Sequence, residues 1–507
     1  MNFRSRWRLS HLLVAAILGI AGFTLVLMAT DPPGPGLDPD AVSYMGAAES
    51  LAWQGRYRIP TAAWWRTDST GALTHFPPGF PTALALPVRA GMTAPQAARL
   101  VSALSAAVTV GTLVLLVAGA ATLAAGALLG VALLAMPAME LVHVSVLSEP
   151  LFLACVALML AELARDGSRP LVVGLASAVA TLTRYAGAAL VGAGAVWLLA
   201  APGSRRERLR RAGLALLPTL VLQGLWVVRT RRLHEPGGIR QVAVYGDLWP
   251  TLRQGATTLR DWLVPDPNAW SDPVPHHGAV GAAAGALVLL VLAVGVRRAV
   301  TARQGVPQPA RLLAACGLLA ACYAGMVVAS RLLADPGIPF DVRILSPLLL
   351  LVMTALVTAA ASWWREASRV PRLALGAGVA AWLAASALTS YGNAGYLLGW
   401  GSDFAGEQWR RSELLAWGRT NGATHALYSN WPAAVYFHLQ RPARYVPVIR
   451  DTMPLATFAD SVRAHDGRVL VFTTGEPGYL SATAVRALAG LRVVAELEDG
   501  VVLAATP

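Results

Sequence analysis

The sequence predicts an α-helical polytopic membrane protein with about eleven transmembrane helices, followed by a small C-terminal α/β extracytoplasmic domain. Of the 507 residues, 55% are hydrophobic and only 14% are charged, and the mean hydropathy is +0.53. This composition is typical of membrane proteins and excludes an ordinary large soluble enzyme. Apolar runs long enough to cross a bilayer recur up to about residue 390, and beyond it short strand-like and helix-like patterns alternate.

The first apolar run extends from Leu9 to Ala29 and follows Arg4, Arg6 and Arg8. Its length and its lack of an A-x-A exit indicate an uncleaved first span, not a signal peptide. Further apolar runs lie at 97–119, 121–138, 148–164, 170–184, 187–201, 213–229, 278–296, 311–330, 343–361 and 373–390.

The formal charge of +13 comes from Arg alone, because the chain contains no Lys. The Arg clusters fall between apolar runs, a pattern typical of cytoplasmic loops and not of a nucleic-acid surface. Alternating spans from a cytoplasmic N-terminus put every cluster inside, so we expect a multi-pass protein of the inner (plasma) membrane with its C-terminal domain outside. The clusters are Arg165/Arg169, Arg205 to Arg211, Arg297/Arg298/Arg303 and Arg365/Arg369/Arg372.

The cysteines Cys155, Cys316 and Cys322 all lie in apolar runs. Neither a disulfide framework nor a CxxC metal site is therefore available. The sequence shows no dense cluster of metal ligands, and we predict no cofactor, although a divalent metal stays possible for this class of site.

Two domains are predicted, a transmembrane domain at 1–390 that includes the first extracytoplasmic loop, 31–96, and an α/β domain at 391–507. Buried strands are expected at 426–429 and 469–474, with a terminal hairpin of 493–497 and 501–504 around Asp499 and Gly500. No phosphate-binding loop, dinucleotide fingerprint or nucleophile elbow occurs there.

Two carboxylates, Asp38 and Asp40, follow the first span in the segment Gly36–Tyr44. Spacings of three and four residues place Asp40 and Tyr44 on one side of a short helix, with the carboxylate at its N-terminus, where negative charge is favoured. Asp40 is either a catalytic group or only the helix N-cap, and these residues alone leave both interpretations open.

Three further polar side chains lie at the predicted outer ends of spans, where such residues are costly and tend to be functional. Glu149 opens a span and is either a second acid or a helix-end charge. Arg184, followed by Tyr185, either binds an anion such as a lipid phosphate or extends to the interface. Arg343 presents the same choice, with Asp341 as its alternative partner. His75, in His-Phe-Pro-Pro-Gly, either contacts substrate or belongs to a structural loop.

Together these segments resemble the GT-C superfamily of polyprenyl-phosphate-sugar-dependent glycosyltransferases, in particular the family 39-like group of protein O-mannosyltransferases and the lipid A aminoarabinose transferase. The matching segments are Asp40-x-x-x-Tyr44, His75-Phe-Pro-Pro-Gly, Ser148-Glu149-Pro-Leu-Phe, Arg184 and Arg343-x-x-x-Pro347. The resemblance covers the membrane region to about residue 390. It implies a GT-C fold and a membrane hexosyltransferase that uses a polyprenyl-phosphate donor.

The family carries an essential acid in the first outer loop, and Asp40 matches it by its position before Tyr44. Family members often have a second acid beside it, whereas here the next carboxylate is Asp38. The resemblance therefore implies Asp40 as general base in an inverting transfer, with Asp38 and Glu149 as further catalytic candidates. Tyr44, His75, Arg184, Tyr185 and Arg343 are the substrate-binding candidates, the arginines stabilising the departing phosphate.

The implied partners are a polyprenyl-phosphate sugar, mannose-like, an acceptor that is a glycan, lipid or protein, and membrane lipids, with no nucleic acid. The alternative is a lipid or polysaccharide transporter or a non-catalytic scaffold. Transporters often show repeats and mid-membrane charges, which this chain lacks. A polymerase or ligase using diphosphate-linked glycans is the second rival, and it would need a larger acceptor loop than 230–277.

Overall fold

The structure is a computed structural model that describes residues 8–233, 248–263, 308–364, 367–448 and 454–507, with scattered residues between 244 and 293. The predicted span 278–296, the cluster Arg297/Arg298/Arg303, Arg365 and most of the loop 230–277 lie outside the described residues. The chain forms two compact units. The helical unit comprises Met1–Ala29, Thr74–Phe80 and Arg99–Tyr396, and the sheet unit comprises Thr30–Leu73, Pro81–Ala98 and Leu397–Pro507.

The described helices are α1 (Leu9–Ala29), α2 (Pro39–Gln54), α3 (Gly79–Arg89), α4 (Ala94–Ala120), α5 (Leu123–Ala135), α6 (Pro137–Val144), α7 (Glu149–Ala164), α8 (Pro170–Thr183), α9 (Ala188–Ala200), α10 (Arg205–Arg232), α11 (Trp249–Leu263), α12 (Gln308–Leu333), α13 (Val342–Trp364), α14 (Arg369–Trp400), α15 (Glu407–Arg410), α16 (Glu413–Asn421), α17 (Pro432–Leu439), α18 (Phe458–Ala464) and α19 (Ala482–Arg486). The strands are β1 (Arg58–Ile59), β2 (Thr61–Ala62), β3 (Gly71–Ala72), β4 (Leu427–Ser429), β5 (Ala443–Tyr445), β6 (Arg468–Phe472), β7 (Leu491–Leu497) and β8 (Gly500–Ala505).

Every predicted span apart from 278–296 coincides with a helix. Among the described residues, six helices are long and apolar enough to cross a membrane, or seven if α5 and α6, bent by 60° at Met136–Pro137, form one span. The chain is therefore a multi-pass membrane protein, as predicted, while the count of eleven stays a prediction. The helices α8 and α9 are apolar but shorter than a full span.

The helix α7 is the centre of the helical unit. Its side chains are buried on nearly every face, including Phe152, Leu153 and Leu160. A helix that is apolar all round is expected to be surrounded by other helices. The helix α7 is about 24 Å long over its 16 residues, so its two ends are well separated.

The helix pair α8 and α9 is broken at Arg184, whose backbone is extended at φ −147° and ψ 139°. The following residues, Tyr185–Gly187, form a 3-10 turn. Gly187 is required there because a Cβ would lie 2.4 Å from the backbone nitrogen of Thr181. The segment that contains His75 reaches the same place, since a Cβ on Gly79 would lie 2.6 Å from the carbonyl oxygen of Leu182.

The sheet unit contains a six-stranded sheet in the order β2-β5-β4-β6-β8-β7. The pairs β2–β5, β5–β4 and β4–β6 are parallel, and β6–β8 and β8–β7 are antiparallel. The last pair is the predicted terminal hairpin. The strand β2, from the loop that the sequence analysis placed in the membrane domain, pairs with β5, so residues 30–73 fold with the C-terminal residues instead.

Two apolar cores cover the two faces of this sheet, because strand side chains alternate in direction. Val469 and Val471 of β6 contact α18 through Phe458. Leu470 and Phe472 point the other way, into the core that contains α16 and α17. From β4 the chain moves to β5 through α17 and then back past β4 to β6 through α18. This reversal is a doubly wound arrangement with its switch point between β4 and β6.

Candidate active site

The carboxylates Asp38 and Asp40 have different environments at the start of α2. Asp38 is the N-cap, and its Oδ1 accepts a hydrogen bond of 2.7 Å from the backbone N–H of Ala41. Pro39 occupies the first helical position and Asp40 lies in the first turn, half-buried. Of the two interpretations of Asp40, capping therefore belongs to Asp38. Tyr44, one turn further on, is only 4% exposed.

The helix α2 is held inside the sheet unit by close contacts. Gly46 faces Pro60, and a Cβ there would lie 2.4 Å from the proline Cδ. Glu49 accepts a hydrogen bond of 2.5 Å from the Tyr436 hydroxyl of α17. These contacts hold the helix that carries Asp40 against the part of the sheet in which the strands are parallel.

Two residues of the sheet unit, Glu476 and Tyr445, interact electrostatically with Asp40, and Tyr479 interacts with both of them. The rings of Tyr445, at the end of β5, and Tyr479 are stacked with centroids 4.9 Å apart. Burial and the negative charge of Asp40 raise the pKa of Glu476 to about 7. Burial, together with the charges of Glu476 and Asp40, raises the pKa of Tyr445 to about 12. The sequence analysis named none of these three residues.

The helical unit brings together Glu149, Arg184 and Arg343. The Oε1 of Glu149 lies 2.6 Å from Nη1 of Arg184 and 3.1 Å from Nε of Arg343. The carboxylate is 2% exposed, whereas the side chains of Arg184 and Arg343 are 16% and 31% exposed. Two guanidinium groups thus share one buried carboxylate. A carboxylate held by two cations is poorly suited to accept a proton.

Neighbouring polar residues fix the positions of these side chains. Ser148, which is buried, accepts a hydrogen bond of 3.1 Å from Nη1 of Arg184. Asp341 caps α13 by accepting a 2.9 Å hydrogen bond from the backbone N–H of Ile344, while Arg343 forms an ion pair with Glu149. The hydroxyl of Tyr323, on α12, donates to the Ile344 carbonyl oxygen at 2.7 Å. Because Asp341 is buried, the pKa of its carboxyl is raised.

The remaining predicted residues lie near the broken helix pair. Tyr185 is half-buried in the turn after Arg184. His75 is exposed, and its ring contacts Phe76 edge-on at 4.8 Å. Gly79, four residues later, contacts the Leu182 backbone. The helical unit therefore brings His75-Phe-Pro-Pro-Gly to the end of α8 that carries Arg184.

The opposite end of α7 has its own ion pairs. Glu162, 4% exposed, lies 2.8 Å from Nη2 of Arg169 and 3.8 Å from Nη1 of Arg165. Arg169 also donates its backbone N–H to Glu162 at 2.6 Å. These arginines belong to a cluster that the sequence analysis placed in the cytoplasm, one helix length from Glu149.

A metal site was not predicted from the sequence. Across the part of the chain that the structure describes, no group of three or more His, Cys, Asp or Glu residues is arranged to hold a metal ion. The thiols of Cys155 and Cys316 are buried.

The residues that the sequence analysis missed were hard to recognise. Ser148 directly precedes the predicted site residue Glu149, and Tyr323 is a polar aromatic residue inside an apolar run. Both could therefore have been recognised from the neighbouring sequence. Glu476 follows β6 at the carboxyl end of a parallel strand, where functional loops concentrate. Only the strand order, which the sequence analysis did not predict, could have placed it near Asp40.

No protein-family model matches the chain, and no curated protein matches it either. Solved structures do match. ArnT from Cupriavidus metallidurans bound to undecaprenyl phosphate is 17% identical, with a TM-score of 0.51 over 97% of this chain and 99% of that chain. The same protein in the apo state matches with a TM-score of 0.55.

Two other matches are more distant in sequence. The Archaeoglobus fulgidus oligosaccharyltransferase, in complex with Zn and sulfate, is 10% identical, with a TM-score of 0.52 over 91% of this chain and 68% of that chain. The mycobacterial arabinofuranosyltransferase AftD is 16% identical, with a TM-score of 0.52 over 95% of this chain and 39% of that chain. The fold is what these proteins share with the chain.

Proposed function

The chain has the fold of the GT-C glycosyltransferases, and from this premise we propose that it transfers a sugar from a polyprenyl-phosphate donor to an acceptor hydroxyl. The observation that carries the proposal is the buried Glu149 carboxylate shared by Arg184 and Arg343. Two guanidinium groups at the ends of membrane helices suit a lipid phosphate, because guanidinium groups bind phosphate oxygens in pairs.

In this mechanism Asp40 accepts the proton of the acceptor hydroxyl while the oxygen attacks the anomeric carbon. The bond between that carbon and the phosphate oxygen breaks, and the electron pair leaves on the lipid phosphate. Arg184 and Arg343 stabilise the charge that grows there. Attack opposite the leaving group inverts the anomeric configuration. Glu149 then acts as the counter-ion that orients both arginines, and not as the base.

The proposal also covers the membrane topology of the protein, the sugar and the acceptor. Its N-terminus lies in the cytoplasm and the sheet unit outside the plasma membrane, because the arginine clusters prefer the cytoplasmic side. The sugar is mannose-like and the acceptor a glycan, lipid or protein. The undecaprenyl phosphate bound to ArnT supports a polyprenyl donor. The archaeal neighbour was solved in complex with Zn, and comparing transfer with and without EDTA tests whether a divalent metal takes part here.

The test uses the full-length protein in lipid vesicles with undecaprenyl-phosphate mannose or glucose carrying a radiolabel. We expect Asp40→Asn to reduce transfer by about 10²-fold or more, the usual cost of losing a general base. Asp38→Asn is the matched control: it retains transfer because Asn caps helices as well as Asp does. Equal transfer by Asp40→Asn and wild type would reject Asp40 as the base. No wild-type transfer from any polyprenyl-phosphate sugar would favour the transporter or scaffold.

A further inference from the structure

The helix α11, in the helical unit, buries a face that is mainly polar or small. Its larger apolar side chains Trp249, Leu252 and Leu263 are exposed instead. A helix at the surface of a protein usually buries its apolar residues. The buried face of α11 is therefore best explained by the groups that its polar side chains bind. The buried residues, spaced four, three and four apart on one side of the helix, are Thr251, Gly255, Thr258 and Trp262.

This face of α11 binds the backbone of Phe340, which lies two residues before α13. The Thr258 hydroxyl donates to the Phe340 carbonyl oxygen at 2.8 Å, and Oε1 of Gln254 accepts from the Phe340 N–H at 3.0 Å. Gly255 allows the close approach, because a Cβ there would lie 3.2 Å from the Phe340 ring. Both backbone polar groups of one buried residue are thus bound by side chains of α11.

The same helix also binds the other end of the loop 334–341, which joins α12 to α13. Thr251 accepts a hydrogen bond of 3.1 Å from Nε of Arg331, in the last turn of α12. Thr251 and Thr258 are two helical turns apart on α11. Contacts at both ends of the loop leave little freedom to the start of α13.

Phe340 leads directly into the segment that carries Arg343. The Ile344 N–H, which would reach the Phe340 carbonyl oxygen if α13 began earlier, donates to Oδ1 of Asp341 at 2.9 Å. The Thr258 hydroxyl supplies that carbonyl oxygen with a hydrogen bond. Arg343 follows in the first turn of α13, with its Nε 3.1 Å from Oε1 of Glu149. The bonds to Phe340 therefore fix the point from which Arg343 reaches the buried carboxylate.

We infer that Thr258 is a positioning residue for Arg343 and acts through the backbone of Phe340, with Gln254 as the second contact. The inference rests on the proposed function, because it takes Arg343 as a ligand of the donor phosphate. A guanidinium group binds phosphate through two parallel hydrogen bonds, and a site of this kind tolerates only small displacements. Without the Thr258 hydroxyl the start of α13 is held less firmly, so Arg343 binds the phosphate more weakly.

The first test measures the affinity for undecaprenyl phosphate from the Tm of the full-length protein, titrated with the lipid in detergent. Thr258→Val keeps the shape of the side chain and removes its hydroxyl. We expect the affinity to fall about threefold to tenfold, the size of one hydrogen bond. Thr258→Ser retains a hydroxyl and should bind as wild type does. Thr257→Val is the matched control, because Thr257 is exposed and its hydroxyl bonds to the Arg253 carbonyl oxygen of the same helix.

The affinity separates positioning from a merely structural role. A lower Tm with wild-type affinity in Thr258→Val would overturn the inference. Should Thr258→Val fail to fold, Gln254→Leu removes the second bond from an exposed position, and Gln254→Glu keeps an acceptor there. The leucine variant should then bind the lipid more weakly than the glutamate variant, and equal affinities would overturn the inference. No response of wild type to the lipid would overturn the proposed function and the assignment of Arg343 to the phosphate.

The second test needs no lipid, so it separates the positioning of Arg343 from the proposed function. Residues that act on one ion pair have non-additive effects on stability. We expect Arg343→Gln to lower the Tm less in the Thr258→Val background than in wild type, because the pair with Glu149 is already loosened there. In the Thr257→Val background it should lower the Tm as much as in wild type. Additive changes with Thr258→Val would refute the positioning, even if sugar transfer is confirmed.

Discussion

Glu149 carries one negative charge between two positive ones in a place that water barely reaches. Burying a carboxylate against two partly buried guanidinium groups costs more desolvation free energy than their attraction returns unless the geometry is good. Here Nη1 of Arg184 and Nε of Arg343 both approach the same carboxylate oxygen, within 2.6 and 3.1 Å. A purely structural role would be served as well by apolar side chains. In the proposed function, the two arginines bind the phosphate of the donor and Glu149 is their counter-ion.

The first residue-scale prediction concerns the binding of undecaprenyl phosphate. Arg184→Lys and Arg343→Lys keep the charge but lose the planar fork that contacts two phosphate oxygens. We expect the lipid to raise the Tm of wild type, by ligand linkage, and to raise that of either variant much less. Thermal unfolding in detergent with and without the lipid measures this. Arg169→Lys, at the opposite end of α7, should respond as wild type does; an equal response in all the proteins would contradict the assignment.

The second residue-scale prediction separates buried from exposed ion pairs. Glu149→Gln leaves two guanidinium groups without their carboxylate, and breaking a buried pair typically destabilises a protein by about 3–5 kcal/mol. Glu207→Gln removes the exposed i,i+4 partner of Arg211, at 3.5 Å, a change of about 0.5 kcal/mol or less. Tm values of the two variants measure the difference. Similar values would mean that Glu149 is not a structural counter-ion.

At the scale of the element, the breaks between helices position the functional groups. The helix α8 ends at Thr183 and the extended backbone of Arg184 turns its side chain away from the helix, towards Ser148. At α2, Asp38 caps the helix from outside and Gly55 ends it with φ +66°. A cap satisfies backbone donors that the helix leaves unpaired. The cap of α2 is therefore Asp38 and not Asp40.

The element-scale prediction concerns Gly79, whose missing side chain lets the His75 segment approach α8. A Cβ at Gly79 would lie 2.6 Å from the Leu182 carbonyl oxygen, so Gly79→Ala must move the backbone just before Arg184. We expect a lower Tm and at least a several-fold loss of transfer, because small displacements at a site are costly. Gly192→Ala in α9, with open space around it, should be neutral or stabilising by about 0.5–1 kcal/mol. Full transfer by Gly79→Ala would show that this approach is dispensable.

At the scale of the whole molecule, the membrane helices could be predicted because each follows from a local apolar run. Arg184 was recognisable because a charge between two such runs is rare. The pairing of Arg343 with Glu149 was not recognisable, since these two residues are 194 apart in the chain. The choice between Asp38 and Asp40 depended on which carboxylate reaches the Ala41 N–H. Recognising that Glu476 and Asp40 belong to the same unit depended on the pairing of β2 with β5, for which the sequence gives no local signal.

The remaining whole-molecule prediction is the sidedness of the chain. The positive-inside rule places the arginine-rich start of α10 in the cytoplasm and the residues after about 391 outside. Arg206 and Thr483 are both exposed, whereas the native cysteines are buried or half-buried in apolar helices. In sealed cells, a membrane-impermeant thiol reagent should therefore label Thr483→Cys and leave Arg206→Cys unlabelled, and only permeabilised cells should show both. Wild type supplies the background. If Arg206→Cys reacts in sealed cells and Thr483→Cys does not, the topology is inverted. A lipid-linked donor would then have to be used on the cytoplasmic side.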